Sequence, residues 1–338
     1  MRAIPAGPAR SASPARPGTA TPAATPAEAQ SPGLARSWAA PFPLDVRLVL
    51  GVHRRGPQDP AFRAGTDGAI WRTSLTPDGP ATIRVTVAAP APGQPGPRVT
   101  GTAWGPGAAW ALGRLPDLLG RADDPDGFRP VHPRLADLAA RHPGLRVGRS
   151  GRVLEALVPA VLEQKVVGVE ANRAWKRLLT WYGTPAPGPA PAGMRVFPPA
   201  PVWQRIPSWD WHRAGVEGIR AATISGAARV AARLEQICTL PAAAADRRLQ
   251  SLPGIGPWTS AEVRQRACGD PDAVSIGDYH LPGMVGWALT GAAVDDAGML
   301  ALLEPYPGQR HRAARLIEVG GGPPRRGPRM AVRDYRDI

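Results

Sequence analysis

Cysteine is nearly absent from the 338-residue chain: Cys238 and Cys268 lie far apart, and neither belongs to a CxxC. This spacing indicates no disulfide framework, and two thiols cannot supply a four-cysteine iron–sulfur or zinc site. The expectation is therefore a reducing, cytoplasmic setting with no cluster. No apolar run reaches the ~20 residues needed to span a bilayer. Arg2 and Arg10 precede no hydrophobic segment, so a secretory leader is not expected. A nucleotide-binding P-loop, a serine nucleophile elbow and metal-ligand spacing are all missing. Lysine is scarce, and nearly all of the 41 basic residues are arginine.

What is abundant is proline (42), glycine (39) and positive charge (+14, pI near 11.2). Proline and glycine resist helix and sheet interiors, so they must gather in loops and tails. The charge attracts polyanions, nucleic acid first among them. Arginine alongside heavy alanine, proline and glycine is also what a GC-rich genome writes, so charge alone adds little to that reading.

The hydrophobic fraction of 43% allows a core, and the length allows two domains. Residues 1–36 are Pro/Ala/Ser/Thr low complexity, predicted to be disordered. Residues 37–122 read as a small α+β domain. Ala69–Leu75, Ala81–Ala88 and Arg98–Trp104 alternate like strands of an antiparallel sheet, with a turn at Pro77-Asp78-Gly79. Val46–His53 fits strand and helix periods equally, and Gly107–Leu119 reads as a helix. Residues 128–319 show helical periodicity, with helices expected from Val153, from Val169, over Ala222–Ile237, over Asp246–Leu252, over Trp258–Cys268 and over Tyr279–Leu289. Residues 320–338 form a basic tail.

The most informative stretch is Leu252–Ala261, LPGIGPWTSA. Gly254 and Gly256 bracket Ile255, and Pro257 suits the first turn of a new helix. Glycines permit positive φ and leave amides uncovered, which makes a phosphate seat at the following helix's positive end. Ile255 can plug the groove between the two helices. Such a hairpin grips the backbone and reads no sequence.

Downstream lies SIGDYHLP, in which Asp278 is placed to cap the next helix and Pro282 fits its first turn. Amide donors and the helix dipole favour an ionised carboxylate there. A carboxylate beside a sugar stabilises the oxocarbenium-like charge of glycosidic cleavage and can orient or deprotonate the attacking water. Asp272, Asp295 and Asp296 are the neighbouring acids, and surface solvation accounts for them.

LPGIGPWTSA followed about twenty residues later by SIGDYHLP resembles the helix-hairpin-helix (HhH-GPD) DNA glycosylase superfamily. Within it the chain looks like the AlkA-type DNA-3-methyladenine glycosylases, from roughly Ser37 to Val319. The resemblance implies a mostly α fold, a helix-hairpin-helix bundle behind a small antiparallel α+β, TBP-like domain. It implies Asp278 as the catalytic carboxylate and Trp258 and Tyr279 as aromatics of the base pocket. It implies Leu252, Gly254, Ile255, Gly256 and Thr259 as the DNA-phosphate hairpin, with a monovalent cation able to sit at the Leu252 and Ile255 carbonyls and no other cofactor. Gln164 and Lys165 fall in the loop that fills the gap left by a flipped base, and either could do so. Bifunctional relatives carry lysine where this chain has Trp258, so a monofunctional hydrolase is implied. Glu262 stands where a further pocket aromatic can occur. The expected partner is damaged double-stranded DNA, met by a monomer. The alternatives are a catalytically silent damage-binding protein and a glycosylase for an oxidised or mismatched base.

Overall fold

The computed structural model describes residues 32–320. The predicted basic tail from Gly321 and the predicted disordered segment up to Ser31 lie outside them.

The alternating residues of the N-terminal part form five strands: β1 (Leu34–Ala39), β2 (Phe62–Ala64), β3 (Ile70–Thr76), β4 (Gly79–Ala88) and β5 (Arg98–Trp104). All pair antiparallel in the order β1-β5-β4-β3-β2. Thr76 faces Gly79 across the expected Pro77-Asp78 turn. Ile83, Val85, Val99 and Ala103 point to one face, where helices α1 (Val46–Gly51) and α2 (Ala108–Leu118) seal a core with Leu50 and Leu115. The ambiguous Val46–His53 thus resolves as helix: Asp45 Oδ1 accepts the Arg47 and Leu48 amides at 2.9 and 3.1 Å. On the other face the Trp71 and Trp104 rings stack.

The sheet begins at Leu34, so the expected boundary at residue 36 cuts through its edge strand. Alternation could not reveal β1, because its residues are exposed or half-buried and the backbone ladder to β5 holds it.

From Pro133 the chain is helical. Helix α3 (Pro133–Arg141) leads to α4 (Val153–Leu162) and α5 (Gly168–Tyr182). A two-residue ladder, β6 (Thr184–Pro185) with β7 (Arg195–Val196), follows α5. Then come α6 (Ala200–Arg205), α7 (Ser208–Ala214), α8 (Gly218–Arg229), α9 (Ala231–Leu234), α10 (Ala242–Gln250) and α11 (Pro257–Val263). A π-turn over Arg264–Cys268 extends α11, and α12 (Leu281–Thr290), α13 (Asp296–Leu303) and α14 (Arg310–Gly320) follow. The helix expected over Ala222–Ile237 starts earlier and breaks at Val230, whose φ of −110° leaves the helical well.

The helical part has two apolar cores. One lies among α4–α11 around Leu157, Leu178, Trp203 and Ile224, and the other joins α3 to α12–α14 around Leu138, Val285 and Leu303. The sheet unit docks on the first through polar clamps. Glu155 accepts the Ser74 hydroxyl at 2.9 Å and the Leu75 amide at 2.6 Å. Buried Asp59 accepts the Trp175 indole at 2.8 Å, and its burial pushes its pKa up. Among the described residues no helix is long and apolar enough to cross a membrane.

The two cysteines correct the sequence expectation, for the structure joins Cys238 to Cys268 in a disulfide. Only the tertiary approach of the turn Ile237–Thr239 to the π-turn brings their Cα atoms within 4.7 Å. The bridge spans 30 residues, and a loop of that length constrains the unfolded chain by about 3–4 kcal/mol. Cys268→Ser should lower the unfolding free energy in urea by about that amount. Reductant should produce the same drop in the parent protein and none in the variant.

Candidate active site

The LPGIG segment forms a tight hairpin between α10 and α11. Gly254 adopts φ +83°, and a Cβ there would fall 2.0 Å from Thr223 Oγ1, so both backbone and space demand glycine. Gly256 does not: its φ is −98° and a Cβ would meet nothing. Its missing side chain instead leaves the start of α11 uncovered. Ile255 is buried in the first helical core and Pro257 opens the helix, both as expected. Ser260 Oγ donates to Asp246 at 2.6 Å, and Arg264 pairs with Asp270 at 2.5 Å, bracing the hairpin from behind.

The loop carrying Gln164 and Lys165 is tied to this hairpin. Gln164 Nε2 donates to the Gly254 carbonyl at 2.9 Å and to Thr259 Oγ1 at 2.8 Å. Thr259 is 2% exposed, so its hydroxyl serves Gln164 rather than facing solvent. Lys165 is exposed, and among the described residues it is the one non-glycine with positive φ, 52°. Gln164 is thus bound to the hairpin, whereas Lys165, one residue on, is exposed.

Asp278 follows a turn through Gly277, whose amide donates to Asp296. Its Oδ1 accepts the His280 and Leu281 amides at 2.8 and 2.9 Å. Helix α12 starts at Leu281 with His280 as its N-cap, so Asp278 serves the helix start from two residues ahead of the cap position, not from the cap itself as the sequence suggested. Its Oδ2 accepts the Trp258 indole at 3.1 Å. The nearby acids are structural rather than merely solvated: Asp272 binds Arg310, Asp295 caps α13, and Asp296 holds Gly277.

A cavity of about 60 Å³ opens beside Asp278, where the sheet unit and both helical cores meet. Leu48, Val49 and Val52 close it from α1 and the residues after it, while Glu262, Gln265 and Arg266 enter from α11 and the π-turn. Such a turn is a common device at functional sites. Glu262 accepts Ser275 Oγ at 2.7 Å and Arg266 Nη1 at 2.7 Å; Gln265 Nε2 donates to Ser275 Oγ at 3.0 Å. Arg266 Nε reaches the Val52 carbonyl at 3.0 Å. His311, Arg315 and Glu318 complete the wall from α14.

Neither Trp258 nor Tyr279 lines this cavity. The Trp258 indole is turned onto Asp278, and Tyr279 is 42% exposed with its ring edge-on to His280. The wall holds no aromatic ring other than the His311 imidazole. Sequence reasoning caught Glu262 only as a missing aromatic. Its pairing with Arg266 was visible as an i,i+4 spacing on the hairpin helix. Nothing local marks His311, Arg315 or Glu318 as neighbours of Asp278.

Burial, helped by Arg315, Arg266 and Arg312, pushes the His311 pKa down to about 3. Burial likewise pushes the Glu318 pKa up, against the pull of Arg315 at 3.0 Å and with a push from Glu262. Histidine in the unfolded chain takes up its proton below about pH 6.5, whereas folded His311 stays neutral to about pH 3. The unfolded state then binds more protons, so stability contributed by neutral His311 falls as pH drops from about 6.5 to about 3. His311→Asn should flatten that part of a stability-against-pH curve measured by urea unfolding. An unchanged curve would contradict the assignment.

No protein-family model matches the chain. Over 178 residues it is 31% identical to the "Probable bifunctional transcriptional activator/DNA repair enzyme AlkA" of Mycobacterium tuberculosis, a match covering 51% of this chain and 35% of that protein. The chain thus spans about a third of the length of the curated relatives it matches. The 3-methyladenine DNA-glycosylase of Archaeoglobus fulgidus superposes with a TM-score of 0.67 at 14% identity, over 84% of this chain and 97% of that one. The 8-oxoguanine glycosylase/lyase of Clostridium acetobutylicum gives 0.61 at 12% identity, over 81% and 92%. The chain shares the fold of these two solved structures, and about half of it is similar in sequence to that curated relative.

Proposed function

We propose that the protein is a monofunctional DNA glycosylase of base excision repair that hydrolyses the N-glycosidic bond of alkylated purines and leaves an abasic site. The observation that carries this reading is Asp278, held by two helix amides and an indole at the mouth of a cavity beside the hairpin. A protein that only gripped DNA would gain nothing from a carboxylate aimed toward phosphates, which it would repel.

The hairpin amides from Gly254 to the start of α11 would seat a backbone phosphate of duplex DNA. A monovalent cation would add charge at the Leu252 and Ile255 carbonyls, of which the first already accepts the Ile255 amide at 3.1 Å. Lys165 would enter the duplex as the damaged nucleotide swings out, its stem filling space and its ammonium meeting phosphate. As the C1′–N bond lengthens, positive charge develops on the sugar. Asp278 would stabilise it and take a proton from the attacking water. With Trp258 where a Schiff-base lysine would stand, strand cleavage is not expected. Such an enzyme would act on DNA in the cytoplasm, as a monomer.

Methylated duplex DNA and chromatography of released bases test the reading. Asp278→Asn keeps a helix-capping side chain, so it should fold and bind DNA yet release 3-methyladenine at least about a hundredfold more slowly. Borohydride should trap no covalent complex. Binding without release by the parent protein would leave the silent damage-binder as the better reading. Lys165→Ala should weaken binding to all duplexes alike and reduce the slope of log affinity against log salt by about 1.

A further inference from the structure

We propose that Arg55, in the segment between α1 and β2, is a positioning residue for base excision: through Glu163 it sets the direction in which Lys165 projects, so the sheet unit governs how well a paired base is displaced. This deepens the glycosylase reading above and rests on it.

The turn between α4 and α5 does little to hold its own shape. Lys165 adopts φ 52°, a left-handed conformation that costs energy in any residue with a Cβ. Helix α5 begins at Gly168 without a side-chain cap. A strained residue keeps its place only where its surroundings over-determine it.

That restraint comes from outside the turn. Three consecutive residues ahead of Lys165 are each tied to a different part of the fold. The Leu162 carbonyl accepts Arg220 Nη1 of α8 at 2.8 Å. Glu163 Oε1 accepts Arg55 Nη1 at 2.9 Å. Gln164 Nε2 donates to the Gly254 carbonyl of the hairpin at 2.9 Å. Arg220 and Arg55 are 3% and 8% exposed, so salt screens neither contact much. A turn held at two points can swivel about the line between them, and a third tie from another element removes that freedom.

The Arg55 tie is the one that the sheet unit supplies, and its root is firm. The Arg55 amide donates to Asp59 Oδ2 at 2.7 Å. Asp59 Oδ1 accepts the Ala61 amide at 2.9 Å and the Trp175 indole of α5 at 2.8 Å. Lys176 Nζ of α5 donates to Gln58 at 2.5 Å. Residues 55–59 are thus fastened along α5, and Arg55 reaches from them to the turn that precedes it. The Glu163 charge also favours the charge of Arg266 in the cavity wall, so one carboxylate serves both the turn and the cavity.

Displacing a base from a duplex costs its stacking and pairing, and least for a base that is already mispaired. A side chain entering the duplex recovers part of that cost. An error in the aim of Lys165 is therefore felt most where the base is well paired.

Single-turnover excision at saturating protein tests this, from duplexes with one 7-methylguanine opposite cytosine or opposite thymine. Arg55→Gln should slow release from the cytosine-paired duplex by at least about tenfold and from the mispaired one by less than about threefold. A variant that merely lost folded protein would slow both alike. Arg55→Lys should recover part of the paired rate, and Glu163→Gln should show the same split. Arg55→Gln combined with Glu163→Gln should be no slower than the slower single variant, because both remove one contact. In a Lys165→Ala background, Arg55→Gln should change the paired rate by less than about twofold. Equal slowing of both duplexes, an Arg55→Gln loss kept in full in the Lys165→Ala background, or paired release by Lys165→Ala as fast as the parent's overturns the proposal and leaves the glycosylase reading standing. Release from neither duplex by the parent, with DNA binding kept, overturns both.

Discussion

The ion pair between Glu262 and Arg266 sits where the three parts of the protein meet. Arg266 Nη1 binds the Glu262 carboxylate, and its Nε binds the Val52 carbonyl just beyond α1 of the sheet unit. Its own carbonyl accepts the Ser150 amide, next to the start of α4. Through Glu262 the pair reaches Ser275, three residues before Asp278. A charge taken this far from water must be matched on every side, and here each partner comes from a different stretch of chain. Sheet, hairpin helix and the turn before α12 are therefore registered to one another through one guanidinium. The cavity is the space left between them.

Glu262, Gln265 and Arg266 are spaced i, i+3 and i+4, so helical geometry alone puts them on the one face that lines the cavity. The π-turn over Arg264–Cys268 carries the last two of them. The Cys238–Cys268 bridge fastens the end of this turn to the first helical core. The wall of the cavity is thus fixed by covalent, ionic and backbone links together.

What was readable in the sequence was local. LPGIG and the helix after it, Asp278 at the start of α12, and the strands β3–β5 all follow from spacings within about ten residues. The resemblance, not spacing, implied a base-pocket place for Trp258 and Tyr279; the Trp258 indole binds a carboxylate twenty residues away, and the Tyr279 ring is exposed. Strand β1, the disulfide, the Gln164 anchor and Glu318 were not readable. Each depends on a partner brought near by tertiary packing: β5, the π-turn, the hairpin ninety residues on, and a cavity wall built from five segments. Composition had also pointed the other way for the cysteines, since two thiols without a motif look like two separate residues.

The Gln164 anchor bears on how such a protein would meet DNA. Its amide spans the Gly254 carbonyl and the Thr259 hydroxyl, so the loop carrying Lys165 and the hairpin carrying the uncovered amides move as one body. Phosphate on one side and gap filling on the other then need no separate ordering steps, and the entropy of positioning Lys165 is spent on folding rather than on binding. The left-handed backbone at Lys165 fits this division. A strained residue persists only where its surroundings over-determine it, and here Gln164 supplies the restraint one residue earlier. If the proposed function holds, hairpin, Lys165 and Asp278 would be set at fixed distances before DNA arrives, and binding would need only to bring one base into a polar cavity.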